Sequence, residues 1–144
     1  MKIDIAFGQK EEKQKYIDRV GAYLIAEKDG KVAVIETPKG YFLPGGGISE
    51  NESHAQCLKR ECLEEIGCEC TEEKYLCSAE EFKFHDKIGW FHPMQYYYTG
   101  KIGAKIKEPT ENDHALVWID IPLAEENMAV QAQKWAIKRF KESI

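Results

Sequence analysis

No stretch of this 144-residue chain approaches the roughly 20 consecutive apolar residues that a membrane-spanning helix needs. The start, MKIDIAFGQKEEK, lacks the apolar core and small-residue cleavage site of a signal peptide. A cytoplasmic location is the expectation. Basic charge is also short: 20 Lys and Arg against 25 Asp and Glu leave a net charge of −5. That balance argues against a nucleic-acid polymer as partner. It leaves a phosphorylated small molecule open, because a bound cation inverts the local field. Cysteine is scarce and odd in number. Five residues, Cys57, Cys62, Cys68, Cys70 and Cys77, read as reduced thiols rather than a disulfide framework. Internal repeats, low-complexity runs and linkers are missing, so a single domain over 1–144 is expected.

What is present is an ordinary soluble composition, 43% apolar and 31% charged. Val20–Ala26 and Lys31–Thr37 read as strands joined by a turn at Lys28-Asp29-Gly30. Tyr41–Leu43 stops at Pro44, and Gly45, Gly46 and Gly47 follow. The spacing predicts a helix over Glu52–Ile66, capped by Ser49 or Asn51 and ended by Gly67. Strands are expected at Tyr75–Phe84, Phe91–Thr99 and Ala115–Ile119, and a last helix at Met128–Ile144. On that helix Val130, Ile137, Phe140 and Ile144 share a face suited to core packing. The order of elements predicts an α+β domain with helices against a sheet.

The first helix carries the chemistry. At about 100° per residue, Glu61, Glu64 and Glu65 fall on one face. Ala55, Leu58, Cys62 and Ile66 fall on a neighbouring, core-directed face. Three carboxylates on one stripe repel each other. Either water solvates them, with Lys59 and Arg60 as partners, or a cation sits among them. Magnesium suits such a site, since it takes hard oxygens and keeps water and phosphate oxygens in its shell. The glycines before the helix serve either as a simple bend or as a close approach of backbone to ligand.

Taken together, the run is Gly46, five residues, Glu52, seven residues, then Arg60-Glu61-Cys62-Leu63-Glu64-Glu65-Ile66-Gly67-Cys68. It resembles the box of the Nudix hydrolase family, of the MutT-like kind, and covers 23 of 144 residues. Cys62 and Cys68 depart from the bulky aliphatic residues usual there, but free cysteine is itself a small hydrophobe. The resemblance implies the Nudix fold, an α/β/α sandwich with a mixed central sheet. It implies that Glu61, Glu64 and Glu65 with the Gly45 carbonyl hold Mg2+, or Mn2+ in its place. Glu61 or Glu64 would act in catalysis. Arg60 would orient the glutamates while paired to Glu52, and Gly46 and Gly67 would be structural. A further acidic residue from a late loop is expected, with Glu111 favoured over Glu108 and Asp113. A solvated loop carboxylate is the competing account of Glu111.

The implied reaction is hydrolysis of a phosphoanhydride bond in a nucleoside diphosphate linked to another moiety. The partner is then a small nucleotide, with a homodimer carried over by analogy with the family. The proline that marks ADP-ribose hydrolases about 15 to 16 residues after the box is replaced by Lys83 and Phe84. Elimination leaves a nucleoside triphosphate foremost. Trp90, Phe91, Tyr96, Tyr97, Tyr98 and Trp118 offer a stacking surface, or are simply strand residues. His85, His92 and His114 read as surface or loop residues. Two rivals stand beside the hydrolase: a non-catalytic Nudix-like nucleotide-binding or regulatory domain, and a zinc module on Cys68, Cys70 and Cys77. The latter lacks the Cys-x-x-Cys pairs of structural zinc sites.

Overall fold

The two-residue turn Asp29-Gly30 joins β2 (Ile17–Lys28) to β3 (Lys31–Thr37), as the sequence predicts. The computed structural model describes residues 2–110 and 114–144. Before β2 lies β1 (Ile5–Phe7). After β3 come β4 (Gly40–Phe42), β5 (Gly45–Gly47), α1 (His54–Ile66), β6 (Cys68–Glu81) and β7 (Lys83–His85). The chain then forms β8 (Gly89–Lys105), β9 (Ala115–Asp120), α2 (Ile121–Asn127) and α3 (Gln131–Ser143).

The main path of the sheet runs β1-β6-β8-β2-β3-β4, with β5 paired to β2, β7 to β8 and β9 to β3. β2 runs parallel to β8 from Ile17↔Phe91 to Ala26↔Gly100, and β1 runs parallel to β6. The other pairings are antiparallel, so the sheet is mixed. Side-chain alternation splits the core in two. Ala22, Leu24, Ala33 and Ile35 meet Leu58, Cys62 and Ile66 of α1. Ile25, Val32, Val34 and Tyr97 join Ala124 of α2 and Ala136, Ile137 and Phe140 of α3. The expected α/β/α sandwich is what forms. Among the described residues no helix is long and apolar enough to cross a membrane.

Several boundaries differ from the sequence expectation. α1 begins at His54, and its cap is Ser53 rather than Ser49 or Asn51. Ser53 accepts from the Gln56 N–H, while the Gln56 side chain accepts from the Ser53 N–H, a reciprocal capping box. Cys57 is fully buried on α1 where Ala55 is only half-buried. The C-terminal segment is two helices. Between them Met128 and Val130 are extended, and the Ala129 N–H donates to the Tyr41 carbonyl at 2.9 Å. That pairing with β4 interrupts the helical run expected from Met128. Ile144 ends the chain 74% exposed and leaves the packed face.

Candidate active site

The acidic face of α1 is held by one guanidinium. Arg60 Nε and Nη2 lie 2.7 and 2.9 Å from the two oxygens of Glu52. Its Nη1 reaches Glu61 at 2.6 Å and Glu64 at 3.3 Å, and Nη2 also donates to the Gly47 carbonyl at 3.0 Å. A single planar fork therefore ties the loop before the helix to two of the three glutamates. Glu65 is fixed differently: its carboxylate accepts from the Gly45 N–H at 2.8 Å. The contact found for Gly45 thus runs through its N–H.

Gly46 explains why β5 lies so close to α1. A Cβ built there would stand 2.5 Å from Glu61 Oε2 and 2.6 Å from its carboxyl carbon. The glycine leaves the room that this carboxylate occupies. At the other end Gly67 closes α1 in the left-handed conformation, φ 68°, with its N–H on the Leu63 carbonyl.

A cleft of about 640 Å³ opens along this border, walled in part by Arg19, Tyr23, Gly45, Gly46, Glu61 and Glu65. The three glutamates are not equivalent. Glu61 and Glu65 are 15% and 12% exposed and line the cleft, whereas Glu64 is 41% exposed and is not among the lining residues. Burial pushes the Glu61 carboxyl above the usual carboxylate range, with Arg60 opposing and Glu64 reinforcing the shift. Glu52 moves the other way, brought down to about 2 chiefly by the Arg60 hydrogen bonds. Burial pushes Tyr23, in the cleft wall, up to about 12.

The aromatic candidates separate by strand face. Phe91 lines the cleft, while Tyr97 lies fully buried in the core on α3's side. Tyr96 and Tyr98 pack against His54 of α1, Trp90 packs against Tyr16 and Phe84, and Trp118 joins the α1-side core. None of these lines the cleft. Phe42, Tyr23 and Arg19 do, and no local sequence pattern marks them.

His114 lies in the loop before β9, as expected, whereas His92 lies on β8 and is only 15% exposed. His114 lines the cleft with Nδ1 3.7 Å from Glu65. His92 sits between Asp18 and Glu80 at 2.8 and 2.7 Å. Of the late-loop acids, Glu108 is 86% exposed and pairs with Lys105, while Glu111 and Asp113 lie outside the described residues. The flanking Thr110 donates twice to the Glu64 carbonyl, at 2.8 and 3.1 Å.

The donor set on α1 fits a hard divalent cation: three carboxylates on one face, two facing a cleft roomy enough for phosphate. Among the described residues no three His, Cys, Asp or Glu side chains gather into a metal-holding group. The zinc module fails on placement. Cys68 and Cys70 lie in the α1-side core and Cys77 in the α3-side core.

A family model of the NUDIX domain matches residues 15–140. No curated protein gives a match. Among solved structures, a NUDIX hydrolase from Nitrosomonas europaea is 18% identical, with TM-score 0.72, covering 88% of this chain and 90% of that one. The MutT NUDIX hydrolase from Burkholderia pseudomallei is 21% identical, with TM-score 0.69, covering 85% of this chain and 98% of that one. At such identities the likeness speaks for the fold alone. With the family model spanning most of its length and the box seated on α1, the chain belongs to the NUDIX family and is a Nudix-type pyrophosphohydrolase.

Proposed function

We propose that this chain, as one catalytic domain over 1–144, is a Mg2+-dependent hydrolase of nucleoside triphosphates. It would cut a phosphoanhydride bond of a nucleoside diphosphate linked to a further phosphoryl group. The observation that carries this reading is the placement of Glu61 and Glu65 in the wall of the cleft, each fixed by a separate protein donor. Mg2+, or Mn2+ in its place, supplies charge neutralisation at the phosphates when bound. Glu61, Glu64 and Glu65 with the Gly45 carbonyl would hold it.

The protein's own groups do the rest. Arg60 keeps Glu61 and Glu64 in position from one side, and the Gly45 N–H keeps Glu65 from the other. One carboxylate, Glu61, Glu64 or Glu111, takes the proton from a water as its oxygen bonds to phosphorus. The bridging P–O bond then breaks, and the leaving phosphate carries off the electron pair. Glu111 stays a candidate because Thr110 and His114, on either side of it, both meet α1. Arg19 and Lys83, in the same wall, offer cations for the substrate's charge. A cytoplasmic place and a homodimer complete the proposal.

A screen with Mg2+ tests this directly, using nucleoside triphosphates, sugar nucleotides, ADP-ribose and dinucleoside polyphosphates. Release of phosphate or pyrophosphate from triphosphates is the expected result. Nucleotide binding without any metal-dependent release would instead favour the non-catalytic domain, which the intact glutamate set argues against.

A further inference from the structure

Two glutamines in the cleft wall have their amides fixed by the fold. Gln133, on α3, is 1% exposed, and its Oε1 accepts from the Leu43 N–H at 2.9 Å. A backbone N–H only donates, so the oxygen must face Leu43 and the NH2 must point away. Gln95, on β8, is 8% exposed, and its Oε1 accepts from the Tyr97 hydroxyl. Tyr97 is fully buried, and its proton has no other acceptor among the described residues. That fixes the second amide in the same sense.

Both carbonyl oxygens are thus used up within the protein, and both NH2 groups are left. Neither nitrogen has a hydrogen-bond partner among the described residues, and both side chains line the cleft. Neither nitrogen is a buried unsatisfied atom among the described residues, so each meets solvent in the cleft, where a ligand's acceptor can take the place of water. Phe42 and Phe91 stand in the same wall and offer ring faces to a flat ligand.

We propose that Gln95 and Gln133 read the base of the substrate as paired donors, so that the cleft favours bases with a carbonyl-rich edge. Guanine presents O6 and N7 side by side, and uracil or thymine presents O4. Adenine places an amino donor at the matching position, where it would meet another donor. The proposal rests on the nucleotide-hydrolase reading for the presence of a base in the cleft. A purely structural Gln133, tying α3 to Leu43, is the competing account.

Equilibrium binding separates them, measured by calorimetry with Mg2+ and guanosine, uridine or adenosine diphosphate. The wild type should bind the guanosine and uridine nucleotides about tenfold or more tightly than the adenosine one. Gln133→Glu and Gln95→Glu keep an oxygen for Leu43 and Tyr97 but remove the amide donors. Each should erase most of that margin. Equal binding of the three by the wild type, tighter adenosine binding, or no binding at all would overturn the proposal. So would variants that keep the wild-type margin. If one variant fails to fold, the wild-type ranking and the other variant decide. A base preference without hydrolysis would sink the catalytic reading alone, and hydrolysis without preference would sink this one alone.

Discussion

Arg60 grips Glu52 with two nitrogens, at 2.7 and 2.9 Å, and spends its third on Glu61 at 2.6 Å. The pair spans the loop-to-helix junction, so its main effect is on position. Because it is partly exposed, its net contribution to stability is small. Arg60→Lys keeps the charge but loses the fork. Its kcat should fall by about tenfold or more, with a thermal midpoint close to wild type. Wild-type kcat in that variant would remove Arg60 from the positioning role.

The same pair sets a pH dependence. Arg60 holds the Glu52 carboxyl near 2 in the folded chain, against 4.5 for the free group. A depressed carboxyl stabilises the fold fully above its unfolded value, and the benefit is lost as pH falls through the folded value. The stability difference between wild type and Glu52→Gln should therefore be flat at neutral pH down to about 4.5, then shrink toward about 2. Urea denaturation across that range reads it, and a difference already changing near neutrality would contradict the assignment.

Two glycines of the box should fail in different ways. Gly46→Ala drives a methyl into the Glu61 carboxylate, which swings aside at small expense to the fold. Activity should drop by about a hundredfold with stability nearly kept. Gly67→Ala strains a left-handed residue and meets the Lys107 carbonyl, so roughly 1–3 kcal/mol of stability should go. Parallel kinetics and denaturant curves distinguish the two; the reverse pattern would refute the geometry.

All five cysteines are buried and free. Burial pushes the Cys57 thiol up to about 11 and the Cys77 thiol up to about 12. Neither should react with a thiol reagent in the native state, because little thiolate forms. Full reaction should appear only on denaturation, and the purified protein should carry no zinc. Rapid native labelling of Cys57 or Cys77 would contradict their placement.

The strand faces predict a split among aromatic residues. Phe91→Ala should raise KM for a nucleotide with less effect on kcat, since Phe91 lines the cleft. Tyr96→Ala should leave KM alone, because its ring packs against His54 on the opposite face. Equal effects on KM would mean that the cleft is not where the base sits.

Much of α1 was legible because helical period and box spacing are both local. Glu61, Glu64, Glu65 and Arg60 lie within one turn and a half, and their shared face follows from geometry. Ser53 is hidden in the sequence because a helix starting at Glu52 takes it inside, which masks the capping pair with Gln56. β1 was not legible: it is three residues long and pairs with Ala79–Glu81, far along the chain. α2 is short and begins around Pro122, and its separation from α3 depends on a tertiary bond to Tyr41. Gln95 and Gln133 look like surface polars in the sequence. Only the packing of α3 against the sheet brings them into one cleft wall. The aromatic run Tyr96–Tyr98 announced alternation, but not which face meets the cleft.

The proposed reaction is metal-dependent hydrolysis on the acidic face of α1. The most direct measurement is the steady-state release of phosphate or pyrophosphate from a nucleoside triphosphate, with Mg2+ and with chelator. Wild type should be run beside Glu61→Gln and the Glu64→Gln, Glu65→Gln double variant. Mg2+-dependent turnover is expected in the wild type, lowered by about a hundredfold or more in either variant with the fold retained. Turnover that survives the chelator, or near wild-type rates in the double variant, would contradict it.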